Sequence, residues 1–263
     1  MVVQGPAGAG RALHIAGVEH RYRSSAGDVL ALGGIDLTIE PGAFVTVVGP
    51  SGCGKTTLLQ LVAGLLRPTS GTVTLDGDPI TGPGRDRGVV FQQPTSLYPW
   101  LSVRRNVELG LRLGGVRRAE RSARALVELE RVGLTEFADR RPYELSGGMQ
   151  QRCQIARVLA NDPDIILMDE PFGAVDALTR EQLQEQIRGL WKSTRRTVIL
   201  ITHSVDEAVL LGSRVLVMSP RPGRIELDLP VGFAATDRSN SDLRADPEFT
   251  AAAHRVRDTI TRP

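Results

Sequence analysis

From Leu13 to Val48 apolar and polar residues alternate with a period of two, interrupted by turn residues at Ser24 to Gly27, Gly33-Gly34 and Pro41-Gly42. The pattern predicts a β-rich opening that leads into a buried strand. At Gly49 the chain changes character. Gly49 to Gly54 reads as a glycine-rich turn, and Lys55 to Leu66 carries helical spacing that Pro68 ends. Gly71 to Pro79 then predicts a hairpin, Gly88 to Phe91 a short strand, and Ser102 to Gly133 helices broken near Gly114-Gly115. Gly147-Gly148 opens a helix through Ala160. Asp164 to Asp169 and Thr197 to Ile201 are apolar enough for buried strands, with the helix Ala177 to Lys192 between them. That order is a β-α-β unit of a parallel sheet, so the fold class is α/β. Beyond Pro220 the signal weakens, and Val231 to Pro263 predicts a short surface element and a terminal helix.

Composition narrows the class. With 41% hydrophobic and 24% charged residues the chain can bury a sizeable core. No apolar run approaches the roughly 20 residues of a spanning helix, and Met1 to Arg11 lacks the pattern of a signal peptide, so export is not expected. Cys53 and Cys153 read as free thiols. A net charge of +2 gives no global field toward nucleic acid. Arg117, Arg118, Arg121 and Arg124 interleave with Glu120, Glu128 and Glu130, which reads as a solvated helix face ahead of a binding patch.

Gly49-Pro50-Ser51-Gly52-Cys53-Gly54-Lys55-Thr56 matches G-x-x-x-x-G-K-[ST] at every fixed position, between a predicted strand and a predicted helix. Glycines let successive N–H groups turn inward around a phosphate, and the helix that starts near Lys55 adds its positive end. The pattern assigns Lys55 to the β- and γ-phosphates of a nucleoside triphosphate and the Thr56 hydroxyl to Mg²⁺. Thr57 completes the binding segment. Cys53 lies among the same amides, so its alkylation is expected to block hydrolysis and MgATP to slow the labelling. Downstream, Ile165-Ile166-Leu167-Met168-Asp169-Glu170 ends four apolar residues with two acids, which puts the carboxylates at the open edge of the sheet. Asp169 is the candidate for the Mg²⁺ shell, through water, and Glu170 the candidate general base toward an attacking water.

Leu145-Ser146-Gly147-Gly148-Met149-Gln150-Gln151-Arg152 sets a serine and two glycines at a helix start, a second cluster of inward N–H donors. One nucleotide does not need two such cradles. Here the sequence resembles the ABC ATPase family, over about residues 13 to 228. The resemblance implies a P-loop NTPase of the ABC nucleotide-binding type: an ATPase domain at 13–230, with an N-terminal antiparallel β subdomain and a helical subdomain at about 93–160. A flexible N-terminus, 1–12, precedes it, and a C-terminal tail with a short helix, 231–263, follows. It also implies that Ser146, Gly147, Gly148 and Gln150 complete the ATP site of a second copy in an ATP-dependent head-to-tail dimer. Other family positions follow in order. Tyr22 falls where an aromatic ring stacks on adenine, or is a packed strand tyrosine. Gln92, with Gln93 as its neighbouring alternative, falls where a glutamine reaches Mg²⁺ and the attacking water. Asp176, in Gly173-Ala174-Val175-Asp176, falls in the loop that joins the two sites, although Val175 stands where Leu is commoner. His203 falls at the histidine that contacts the γ-phosphate. The catalytic set implied is Lys55, Glu170 and His203, acting on ATP held between two chains.

The stretch Pro94 to Val103, with Leu97, Tyr98, Pro99, Trp100 and Leu101, offers apolar groups either to a short helix of a membrane subunit or to the core. Leu97 to Leu101 and Ser219-Pro220-Arg221-Pro222-Gly223-Arg224-Ile225 resemble the nitrate, sulfonate and taurine importer branch, and Arg244 to Phe249 resembles its taurine and sulfonate members. The partners implied are integral permease subunits and, through them, a solute-binding protein, with the chain peripheral on the cytoplasmic face of the inner membrane and no nucleic-acid partner. An exporter subunit, or an importer of another cargo, is the nearest alternative. A DNA-repair ATPase of this family would need coiled coils between Thr56 and Leu145, where no sustained heptads occur. A P-loop kinase or GTPase leaves Ser146 to Gly148 unexplained.

Overall fold

The computed structural model describes residues 11–23, 25, 27–92, 97–173 and 175–262. Residues 1–10, most of the N-terminal segment expected to be flexible, lie outside it, as do Gln93 and the start of the Pro94 to Val103 stretch.

The alternating opening forms β1 (Leu13–Tyr22) and β2 (Val29–Ile39), which pair antiparallel; β4 (Ser70–Leu75) pairs with β1, and β5 (Asp78–Pro79) with β4. Inward residues such as Leu13, Ile15, Leu37 and Ile39 are buried while their neighbours are exposed, as one-sided burial requires. The expected turn at Gly33-Gly34 is instead inside β2. Val18 pairs with Ile35 and Glu19 with Gly33, so Gly34, at φ +80°, is the extra residue of a β-bulge.

The second sheet has the order β10-β9-β3-β8-β7-β6, built from β3 (Phe44–Val48), β6 (Arg87–Val90), β7 (Ile165–Asp169), β8 (Thr197–Ile201), β9 (Arg214–Met218) and β10 (Ile225–Pro230). All its pairs are parallel except β9 with β10. Both faces are covered, which is why β3, β7 and β8 are continuous apolar runs. Phe44, Val48, Ile166 and Met168 enter the core on one face, and Val45, Val47, Ile165 and Leu167 enter the core shared with the antiparallel sheet on the other.

Helix α1 (Lys55–Val62) follows β3. It ends before the expected Leu66, because Gly64 turns at φ +74° where a Cβ would lie 2.2 Å from Gly82 O. Helices α2 (Val103–Leu113), α3 (Arg118–Arg131) and α4 (Gly147–Leu159) come between β6 and β7, and α5 (Ala177–Thr194) between β7 and β8. After α6 (Val205–Leu211) and the last two strands, the C-terminal segment forms a 3-10 turn, α7 (Asn240–Arg244) and the 15-residue α8 (Pro247–Thr261). Phe249, Ala253 and Val256 of α8 are buried in the same core as α6 and the large sheet.

Candidate functional site

Parallel strands end together, so residues far apart in sequence meet at one sheet edge. β3 delivers the glycine loop, β7 delivers Asp169 and Glu170, β8 leads to His203, and β6 leads to Gln92. A cleft of about 450 Å³ opens there, lined by Ser51, Gly52, Gly54 to Thr57, Glu170 and His203, with Tyr22, Val29 and Ala31 on the antiparallel sheet side.

The loop needs its glycines. Gly54 sits at φ +106°, where a Cβ would lie 2.7 Å from Leu32 Cδ2, and a Cβ on Gly49 would lie 2.7 Å from Met218 O. No side chain caps α1 among the described residues, so its first-turn amides remain available to a ligand. Lys55 is buried, and its Nζ donates to Gly49 O at 2.8 Å and Pro50 O at 2.9 Å. Cys53 is 1% exposed, with Sγ 3.8 Å from Lys55 Nζ. That burial shields the thiol from solvent in this conformation.

The Thr56 hydroxyl donates to Asp169 Oδ1 at 3.4 Å. Burial pushes the Asp169 carboxyl above its ordinary range, opposed by the Thr56 hydrogen bond and the Lys55 charge and reinforced by the Glu170 charge. Glu170 follows at φ +45°, a conformation costly for a non-glycine residue and held by its N–H donating to Ile201 O at 3.0 Å. Gln92 Nε2 donates to Glu170 Oε2 at 3.0 Å, and His203 Nδ1 lies 3.4 Å from the same oxygen. Three residues expected from separate motifs thus form one polar cluster. Tyr22 is 42% exposed and so is not a core tyrosine; its hydroxyl lies 3.1 Å from Thr57 Oγ1.

The Ser146 to Gln150 segment is elsewhere. None of Ser146, Gly147, Gly148 or Gln150 is among the described residues that line the cleft. Ser146 caps α4, accepting Met149 N–H at 3.3 Å, and Gln150 Nε2 donates to Pro142 O and Leu145 O at 3.0 and 3.2 Å, which fixes the loop ahead of the helix. Asp176 caps α5, accepting Thr179 N–H at 3.0 Å, a bond that holds its carboxyl below the ordinary range.

Arg221 stands in the Ser219 to Ile225 segment, whose resemblance gave it no place in the cleft, yet it lines the cleft. Its Nε and Nη2 donate to Gly52 O at 3.2 and 3.1 Å across 169 residues of sequence, a separation no local spacing could signal. A groove of about 470 Å³ on another face is lined by Phe91, Tyr98, Leu109, Leu113 and Arg157. Phe91, Tyr98 and Leu113 are exposed there, as is Trp100, whose ring lies 5.3 Å from that of Tyr98. Leu97 is instead buried in the core.

The family profile described as ABC transporter matches residues 32–173. The taurine import ATP-binding protein TauB of Jannaschia sp. (strain CCS1) is 51% identical over 232 residues, which cover 88% of this chain and 86% of that protein. A putative ATP-binding protein of Brucella abortus (strain 2308) is 52% identical over 230 residues, 88% of this chain and 87% of the relative. Among solved structures, a dimeric bacterial ABC transporter cassette superposes with a TM-score of 0.74 at 35% identity, covering 84% of this chain and 99% of that one. A dimeric ATP-binding cassette in a post-hydrolysis state, bound to ADP and Pi, superposes with a TM-score of 0.73, also at 35% identity and the same coverage. With its glycine loop and paired carboxylates meeting at one edge of the large sheet, this chain belongs to the ABC transporter family as an ATP-binding cassette.

Proposed function

We propose that this chain is the ATP-hydrolysing subunit of an ABC importer for a small anionic or zwitterionic solute such as taurine, an aliphatic sulfonate or nitrate. It works as a head-to-tail pair beneath permease subunits on the cytoplasmic face of the membrane. The observation that carries the paired mechanism is the separation of the two glycine segments, since Ser51, Gly52 and Gly54 to Thr57 border the cleft and Ser146 to Gln150 do not. A second copy supplies the missing wall. The cargo reading is supported by relatives named as taurine import proteins at 50–53% identity.

In this reading Lys55 and the inward amides of Ser51 to Thr57 neutralise the polyphosphate, and Tyr22 packs on the base. Thr56 and Asp169 offer hard oxygens that fit Mg²⁺, an ion that takes one or two protein oxygens and completes its shell with phosphates and water. When bound, the ion offsets charge on the β- and γ-phosphate oxygens. Glu170, steadied by Gln92 and His203, takes a proton from water as the water oxygen bonds to the γ-phosphorus. The bond from that phosphorus to the bridging oxygen breaks, and ADP and phosphate leave. Asp176 joins the two sites of the pair, and the groove beside Tyr98 and Leu113 receives the permease. No helix among the described residues is long and apolar enough to cross a membrane, which fits a motor that acts through a partner.

The test is reconstitution with the cognate permease and solute-binding protein in vesicles. Import of taurine or a sulfonate, with hydrolysis stimulated by the loaded binding protein, supports the reading. Outward transport, or hydrolysis indifferent to the binding protein, assigns the chain to an exporter.

A further inference from the structure

The geometry points to Arg221 as a positioning residue that holds the phosphate loop in its anion-binding form through Gly52 and thereby sets the affinity for a nucleoside triphosphate. The inference rests on the nucleotide reading of the cleft and gives Arg221, noted in sequence only as part of the Ser219 to Ile225 segment, a role at the phosphate loop.

Residues 219–224, between β9 and β10, form a braced strap. Ser219 N donates to Arg224 O at 2.9 Å, Arg224 N donates to Ser219 Oγ at 2.9 Å, and that hydroxyl reaches Pro220 O and Pro222 O at 2.9 and 3.1 Å. The strap is stitched to β2, with Gly223 N donating to Ala31 O at 2.9 Å and Gly33 N donating to Gly223 O at 3.0 Å. Its backbone lies directly on the phosphate loop. A Cβ on Gly223 would sit 2.0 Å from Cys53 O, so no larger residue fits between strap and loop.

This scaffold carries the Arg221 guanidinium to Gly52 O, and the same side chain lines the cleft with Lys55. A carbonyl oxygen beside an incoming polyphosphate opposes binding, and a cation on it both removes that repulsion and fixes the adjoining amides. Lys55 does this for Gly49 O and Pro50 O, and Arg221 does it for Gly52 O. The third guanidinium nitrogen has no hydrogen-bond partner among the described residues, so the charge is not consumed by a carboxylate.

Arg221→Ala, Arg221→Lys and Arg221→Gln, with Lys55→Ala in parallel, test the inference by ATP titration calorimetry and by KM and kcat of hydrolysis. Arg221→Ala should raise Kd and KM about tenfold, the scale of one charge-assisted hydrogen bond, while kcat changes by about twofold or less. Arg221→Lys should recover most of the affinity. Arg221→Gln, a neutral donor, should not. Unchanged KM in Arg221→Ala, a loss confined to kcat, or wild-type behaviour of Arg221→Gln would overturn the proposal. The parallel variant separates the two levels: if Lys55→Ala abolishes ATP binding while Arg221→Ala binds normally, only the strap's role fails. If Lys55→Ala binds ATP as well as wild type, the nucleotide reading of the cleft itself fails.

Discussion

Gly148 lies in the first turn of α4, against the start of α5. A Cβ there would come 2.3 Å from Thr179 Cγ2 but only 3.6 Å from Val175 Cγ1 and 3.7 Å from Thr179 Cβ. Carbon atoms pack at about 3.5–4.0 Å, so a single methyl group obstructs the position, by more than about 1 Å. Thr179 yields reluctantly, because its side chain is β-branched and its N–H is tied to Asp176 Oδ1. Gly148→Ala therefore forces α4 away from α5 or turns Thr179, at a cost of about 1–3 kcal/mol, against a helix-propensity gain of about 1 kcal/mol. Thr179→Ser deletes the methyl and keeps the backbone bond. In that background Gly148→Ala should be neutral or stabilising by up to about 1 kcal/mol. Urea unfolding of the four proteins, at constant m-value, gives the coupling between the two positions, expected at about 1–3 kcal/mol. If the two changes add within about 0.5 kcal/mol, the contact does not govern Gly148 and the reasoning is wrong.

Two further outcomes follow from burial. Cys153 is fully buried and its thiol is pushed up to about 12 by desolvation, and Cys53 is 1% exposed; native protein should therefore resist iodoacetamide, with both cysteines labelled in denaturant, as read by intact mass. Labelling of Cys53 in native protein at the rate of a free thiol would contradict the packing of the loop. Burial also raises the Glu128 carboxyl, with Arg131 opposing, so the stability linked to its proton is full below the ordinary glutamate range and is lost as pH rises through the raised folded value. Glu128→Gln should thus raise Tm at about pH 7 relative to wild type and lose that advantage near pH 4, whereas an equal shift at both would remove the electrostatic explanation.

The large sheet is legible in sequence because strands buried on both faces leave uninterrupted apolar runs, as at Ile165–Asp169 and Thr197–Ile201. The glycine loop is legible because its function demands a fixed spacing. Gly33-Gly34 misleads because a bulge glycine and a turn glycine send the same local signal, and only the pairing of β1 with β2 distinguishes them. Helix α1 stops early for a reason 18 residues away, the backbone of Gly82 against Gly64. Phe249, Ala253 and Val256 repeat at helical spacing, yet nothing local tells that this face docks on the main core. Arg221 stays hidden for the same reason. Its partner is a backbone carbonyl, which carries no sequence identity. The gathering of Gln92, Glu170 and His203 on one oxygen needs the strand order, and the distance of Ser146 from the cleft needs the fold.

The central claim, that two chains build each ATP site and Glu170 activates the water, is tested most directly by Glu170→Gln with MgATP, followed by size-exclusion chromatography and steady-state hydrolysis. The amide keeps the shape of the side chain and removes its basicity. Glu170→Gln should form a stable ATP-dependent dimer with hydrolysis lost, while wild type turns over and does not accumulate as a dimer. A persistent monomer with ordinary turnover would contradict both the base and the two-chain site.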